Sequence, residues 1–270
     1  MVIMERRKNK IVPIARILIV AVFISFWEIA ARLNLYNAFF TSYPSEIILD
    51  LKQFFLSGDL VKHTSITLRE ALTGLIYGTA IGVFVGLLFG QVQLLGKIFL
   101  PIITAIHGVP QLTLAPIYIL WFGLGLTSKV FLAALMVFFN VFFSTYAGTQ
   151  NVEPKLVESA NLLGAGTIQT LYHVVLPSSM PWIIAGIRNG VGASLIGAII
   201  GEFMGASAGF GWMIAYATSY FKIARVMSCI LILLIVGIIL NFILDKIEAY
   251  LLRWRVVTKL SLNHEKSLLN

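Results

Sequence analysis

Residues 74–90 read GLIYGTAIGVFVGLLFG. Glycine returns at Gly74, Gly78, Gly82, Gly86 and Gly90, and nearly everything between is apolar. A spacing of four puts these glycines on one face of an α-helix. The result is a smooth stripe on which another helix backbone can lie close. That partner helix belongs either to this chain or to another subunit. Gly197, Gly201 and Gly205 repeat the device further on.

The stretch lies within an interval, Glu70 to Lys97, that holds no charged residue. The same is true from Lys97 to Lys129, Lys129 to Glu153 and Arg225 to Asp245. Each interval is long enough for a bilayer-crossing helix, which takes about 20 apolar residues. The chain of 270 residues is 59% hydrophobic and 12% charged, with a mean hydropathy of +0.91. A soluble chain carries about 25% charge. Backbone groups in lipid are satisfied only inside a helix or a closed barrel, and continuous rather than alternating runs exclude a barrel. The fold class is therefore all-α, a polytopic membrane protein of about six spans. They are placed at 13–31, 69–90, 99–121, 129–148, 181–204 and 226–245. This leaves an N-terminal tail at 1–12, a membrane domain at 13–250 and a C-terminal tail at 251–270. Span 3 contains Pro101, Pro110 and Pro116. Proline removes a helix hydrogen bond and clashes one turn back, so a kink or break is expected near Pro110.

The net charge of +8 does not call for nucleic acid, because basic residues collect beside spans on the cytoplasmic side. With the N-terminus inside, the inner segments hold 12 Lys and Arg against 7 outside, with Arg188 left in a span. Both termini are thus expected in the cytoplasm, with the segment between spans 4 and 5. The basic head and apolar run at the N-terminus have no small-residue cleavage pattern and read as an uncleaved first span. Outside, PSEIILDLKQFFLSG places Ile47, Ile48, Leu51, Phe54 and Phe55 at helical spacing. It reads as an amphipathic helix lying on the outer membrane face.

Catalytic signatures are few. There is no HExxH, no CxxC pair and no Walker A loop, and the four histidines are scattered. Cys229 sits in an apolar run and reads as a small apolar side chain. Glu28 and Arg32 are spaced as an i, i+4 pair near the outer end of span 1. Arg188 is close enough to the cytoplasm to snorkel. Glu202 either contacts a solute or braces the glycine-rich turn that follows it. His107, Pro110 and Gln111 at the break in span 3, together with Glu202, are the candidate pathway residues.

The segment 153–181, EPKLVESANLLGAGTIQTLYHVVLPSSMP, is too regular for a tether. Pro154 suits a first helical position. Leu156, Val157, Ala160 and Leu163 share a face, and Gly164 is placed for a left-handed stop. Thr167 can cap a second helix, after which Pro177 and Pro181 set the approach to span 5. The outcome is a helix, a turn and a helix presented to a soluble partner.

These residues resemble the EAA loop of bacterial ABC-importer permeases: Glu158, Ser159 and Ala160, then Gly164, then Val174, Leu176 and Pro177 at matching spacing. Ser159 stands where the pattern has Ala, and Val174 where it has Ile. WEIAARLN, TLREALTGLIYG, PIYILWFGLGLTSK and GEFMGASAGFGWMI look like the permeases of the sulfonate, taurine and nitrate importer group. That group extends to riboflavin and thiamine-precursor pyrimidines. The resemblance implies a type I-like importer in the bacterial inner membrane with both termini cytoplasmic. Two permease copies, a homodimer, would meet around the path. Two ATPase subunits would dock on the helix around Glu158, and a binding protein would deliver cargo outside. The chain itself would carry no cofactor, ATP being bound by the separate ATPase. The transported solute would be a small organic or inorganic anion such as a sulfonate, taurine or nitrate, or alternatively riboflavin or a thiamine-precursor pyrimidine. A competing reading is an ion-gradient-driven secondary transporter, which needs acidic residues in mid-span. The sequence offers only Glu28 and Glu202, both near an outer edge. A membrane-embedded enzyme lacks a clustered nucleophile, base or metal ligands.

Overall fold

The computed structural model describes the backbone of residues 2–253, and the side chains of these residues apart from 2–14, 17 and 38. The side chains of the expected 1–12 tail, and most of the 251–270 tail, lie outside the described residues. The backbone order is α1 (Val2–Arg32), α2 (Ala38–Thr41), α3 (Pro44–Leu56), α4 (Asp59–Gln91), α5 (Gln93–His107) and α6 (Gln111–Phe122). It continues with α7 (Leu126–Gln150), α8 (Pro154–Leu162), α9 (Thr167–Thr170), a π-helical turn (Leu171–Val175), α10 (Leu176–Gly205), α11 (Phe210–Ser219) and α12 (Ile223–Leu251). Among the described residues, four helices are long and apolar enough to cross a membrane, or five if α5 and α6 form one broken span.

The centre is a layer of three long helices, with α7 flanked by α4 and α10. The glycine stripe makes this contact, and its partner lies in the same chain. A Cβ on Gly74 would stand 2.5 Å from that of Ala133, one on Gly82 3.0 Å from Val141 Cβ, and one on Gly86 2.7 Å from Thr145 Cβ. Gly90 faces Thr149. Glycine on α4 thus meets a side chain on α7 at every fourth residue. Gly197 and Gly201 of α10 press on Ala133 and Lys129 of the same helix. With no hydrophobic drive between helices in lipid, such close packing is the main attraction.

The break expected in span 3 near Pro110 is present: α5 and α6 meet at 95° across Gly108–Pro110. At 15 and 12 residues, they reach about 22 and 18 Å, short of the roughly 30 Å of a hydrocarbon core. The helix that carries span 2 begins at Asp59, ten residues before the expected span. Its first turns are polar, so they read as outside the membrane, yet His63 and Thr67 are buried against the segment that starts α11. The outer helix α3 is not laid on lipid alone. Ile47 and Phe54 are buried, and Phe54 packs with Phe210, Met213, Cys229 and Ile232. Ile48 and Phe55 point away. Arg225 of α12 fixes this by gripping both Asp50 oxygens at 2.9–3.0 Å and lying 4.1 Å above the Phe54 ring.

A further expectation changes over 167–181. Pro177 and Pro181 do not separate a second short helix from span 5; helix runs from Thr167 to Gly205. The π turn just before Pro177 supplies the reason. A wider turn relaxes the clash between a proline ring and the carbonyl one turn back. The chain therefore bends without stopping.

Candidate functional site

Chemistry-bearing residues gather in three places. The first is α8. Glu153 is extended before it and Pro154 opens it. Its end is a complete Schellman stop: Gly164 has φ +83°, its N–H donates to Asn161 O at 3.0 Å, and Ala165 N–H donates to Ala160 O at 3.0 Å. The next helix is held by Gly166 N–H donating to Gln169 Oε1 at 2.9 Å. No residue of α8 is buried. Glu158 and Ser159 face outward, and Leu162 and Leu163 are each 89% exposed. Among the described residues nothing hydrogen-bonds the Glu158 carboxylate. Leu176 and Pro177 stand apart from this surface, half-buried at the start of α10.

The second place is the break between α5 and α6. His107 is exposed and leans on Phe139 and Phe143 of α7, with ring centroids 4.8 and 5.3 Å away. Gln111 folds back, donating to Val109 O at 3.0 Å and accepting from Tyr118 Oη at 3.1 Å. Pro110 precedes α6 and lies open like His107, while Gln111 is half-buried. These three candidate residues sit together beside the middle of α7.

Glu202 does not join them. It is 1% exposed and lies where α10 ends, beside Lys129. Lys129 is ten residues before Phe139 along α7, about 15 Å of helix. One Glu202 oxygen accepts from Thr67 Oγ1 and the other from Gly211 N–H, each at 2.6 Å. Thr67 Oγ1 in turn accepts from Phe210 N–H at 2.9 Å, and Gly209 N–H donates to His63 Nδ1 at 2.9 Å. Gly209 has φ +104° and lies flat against the Glu202 carboxylate, where any Cβ would collide. Glu202 thus braces the turn into α11, and its charge meets the N-terminal end of that helix. The turn also spells G-x-S-x-G at Gly205, Ser207 and Gly209. That motif marks a serine nucleophile on a strand-to-helix elbow. Here it joins two helices, and among the described residues no histidine hydrogen-bonds Ser207.

Two features escape a reading by hydropathy. His63, Thr67 and Glu70 form a polar row on one face of α4, and Lys129 approaches Glu70 at 3.7 Å. The spacing of 63, 67 and 70 was the available signal. Arg188 does not snorkel free; it pairs with Asp245 at 2.6 Å and with Glu248 of α12. The Glu28–Arg32 pair forms at 2.7 Å, and Glu28 also accepts from Ser45 N–H and Oγ at the start of α3.

An exposed helix with a built stop thus stands at one end of a glycine-knit bundle of membrane-length helices. Residues 78–256 match the binding-protein-dependent transport system inner membrane component family. The chain belongs to that family. Two relatives illustrate it. The putative aliphatic sulfonates transport permease protein SsuC of Bacillus subtilis is 34% identical, covering 88% of this chain and 87% of the relative. The riboflavin transport system permease protein RibX of Chloroflexus aurantiacus is 30% identical over 85% of each. In fold, the chain matches an inward-facing structure of the MetNI methionine ABC transporter with a TM-score of 0.63 at 19% identity, over 71% of this chain and 95% of the other. The protein is a multi-pass permease of an ABC importer and not an enzyme.

Proposed function

We propose that two copies of this permease form the translocation path for a small organic or inorganic anion, such as a sulfonate, taurine or nitrate. Two ATPase subunits bind the ATP and dock on α8. An extracytoplasmic binding protein delivers the solute at the opposite end, and both termini are cytoplasmic. The observation that carries this reading is the exposed, pre-shaped α8 with unburied Leu156, Leu162 and Leu163. Its apolar side chains are short of a core and its ends are fixed without one. ATP closure of the ATPase pair would pull the two α8 helices together, and hydrolysis would release them. His107 and Pro110, exposed in the single chain, and the half-buried Gln111 would face the path and the second copy. The likeness to SsuC supports an anion; the likeness to RibX supports a second reading, in which the same device carries riboflavin or a thiamine-precursor pyrimidine.

Glu158→Lys tests the docking. The variant is expected to insert and keep the wild-type unfolding temperature while losing ATPase co-purification and uptake. Normal uptake by Glu158→Lys would overturn the assignment. The solute is read separately, by titrating the partner binding protein with ethanesulfonate, nitrate and riboflavin.

A further inference from the structure

At the end of the bundle opposite α8, one imidazole ring holds the turn between α10 and α11. His63 of α4 is 2% exposed. Its Nδ1 stands within reach of two backbone atoms of Gly209, the N–H at 2.9 Å and the carbonyl oxygen at 3.1 Å. A neutral ring with a lone pair on Nδ1 accepts from the N–H. An imidazolium carries hydrogen on both nitrogens and can only donate, so it has to use the carbonyl. We propose that His63 is a pH-sensitive latch: acid in the compartment this end faces moves its hydrogen bond from the N–H to the C=O of Gly209 and loosens the turn. The latch rests on neither the solute nor the docking reading above.

Three observations carry it. First, each protonation state finds a partner without moving the ring. The Gly209 carbonyl takes the Met213 N–H at 3.0 Å and keeps a second lone pair for an imidazolium. The ring also lies parallel to Trp212, with centroids 5.6 Å apart and 6° between planes, a face that attracts a cation. Second, the two atoms of Gly209 belong to successive peptide units. The second unit carries the Phe210 N–H that donates to Thr67 Oγ1, and Thr67 donates to Glu202. A change of partner at Gly209 therefore reaches the Glu202 brace, and it leaves the buried Gly209 N–H without its acceptor. Third, the ring lines a cavity of about 510 Å³. Around that cavity stand Asp59 and Lys62 from α4, Asp50 from α3, Tyr216 from α11, and Lys222 and Arg225 from α12. Asp50 is paired with Arg225, and Glu202 of α10 is turned to Thr67 and Gly211. Burial holds the imidazole below its ordinary value; the Gly209 carbonyl and Asp59 pull it up, and Lys62 and Arg225 press it down.

The unfolded chain binds this proton near pH 6.5, and the folded chain binds it only at lower pH. The stability that the neutral ring contributes is whole above about pH 6.5 and is lost as pH falls through the folded value. The test follows amide exchange and thermal unfolding of the full-length permease in nanodiscs at about pH 7.5 and about pH 5, on either side of the ordinary imidazole value. In the wild type, exchange at Gly209, corrected for the intrinsic effect of pH, should speed at least about 10-fold on acidification. His63→Asn carries an amide oxygen on Cγ, where the ring has Nδ1, and does not titrate. Its Gly209 exchange should be flat in pH, and its unfolding midpoint should fall on acidification by at least about 2 °C less than that of the wild type. His63→Phe, which keeps a ring on Trp212 and no acceptor, should exchange fast at Gly209 at both pH values. A ring kept for packing alone leaves wild-type exchange at Gly209 flat in pH, or gives His63→Asn the same acid response; either result overturns the latch. If His63→Asn does not fold, the wild-type exchange profile decides by itself.

Discussion

Replacing Gly164 isolates the part of α8 that sequence spacing alone cannot weigh. The residue sits at φ +83° and closes the helix with the Asn161 and Ala160 carbonyls. A Cβ built there meets nothing within 4 Å. The penalty for alanine is therefore conformational alone, about 1–2 kcal/mol for an L-residue held in the left-handed region. That is a factor of about 5–30 in the local opening equilibrium. A helix of 9 residues with none buried has no core to oppose fraying. Amide exchange at Leu163–Ala165 should thus rise about 5- to 30-fold in Gly164→Ala, while α7 and α10 keep their protection and the unfolding temperature is unchanged. ATPase affinity should fall by up to the same factor. Gly164→Asn should do less harm, since asparagine visits this region more readily, and Gly164→Val more. If Gly164→Ala exchanges and binds like the wild type, or if Asn and Val are equally damaging, the stop is not what shapes the docking surface.

The glycine face predicts that Gly82→Leu costs about 1–3 kcal/mol or more, because its Cβ would stand 3.0 Å from Val141 Cβ and 3.1 Å from the Phe138 carbonyl. Loss of a monodisperse peak in size-exclusion chromatography checks this, and an unshifted peak contradicts it. Glu202→Ala leaves the Gly211 N–H and the Thr67 hydroxyl without their acceptor, about 1–3 kcal/mol for each orphaned group. Thermal unfolding in detergent should show a drop of several degrees, and an unchanged midpoint would refute the brace. Arg188→Ala breaks pairs whose side chains are 35–57% exposed. It should cost less than about 1 kcal/mol and lose its effect in high salt; a loss as large as that of Glu202→Ala would show the pairs to be buried in the assembly.

Uncharged intervals located the helices, because a span must be apolar whatever it packs against. They also misplaced the start of α4 and the nature of α3, for one physical reason. Hydropathy reports on solvent, and buried protein surface differs from lipid-facing surface. His63 and Thr67 are polar and buried because the turn into α11 hydrogen-bonds them. Ile48 and Phe55 are apolar and exposed because α3 turns Ile47 and Phe54 inward. The Gly164 stop was legible, since only a left-handed position demands that residue at that spacing. The continuity of α9 with α10 was not. Two prolines read as punctuation, and only the π turn ahead of Pro177 shows how the helix passes them. The burial of Lys129 was not legible either, because a lone lysine between spans reads as a boundary marker.

That continuity bears on how the two ends of the permease can communicate. α8 rests chiefly on α9 and the π turn, so a force applied to it enters the helix that runs from Thr167 to Gly205. Its 39 residues make a rod of about 58 Å. Gly186, Gly197 and Gly201 press it directly against α7, and packed surfaces of this kind move together rather than slide smoothly. The far end of the rod holds Glu202, which pins the turn to α11. The soft points are the π turn, where the hydrogen-bond ladder is already loosened, and Pro181, which donates no hydrogen bond to it. Bending is therefore absorbed close to α8, and what passes beyond Pro181 is a displacement of the whole helix. A small shift of α8 would thus reach the Glu202 brace as a change in how α10 meets α4 and α7, where Thr67 bonds Glu202 and Lys129 packs on Gly201.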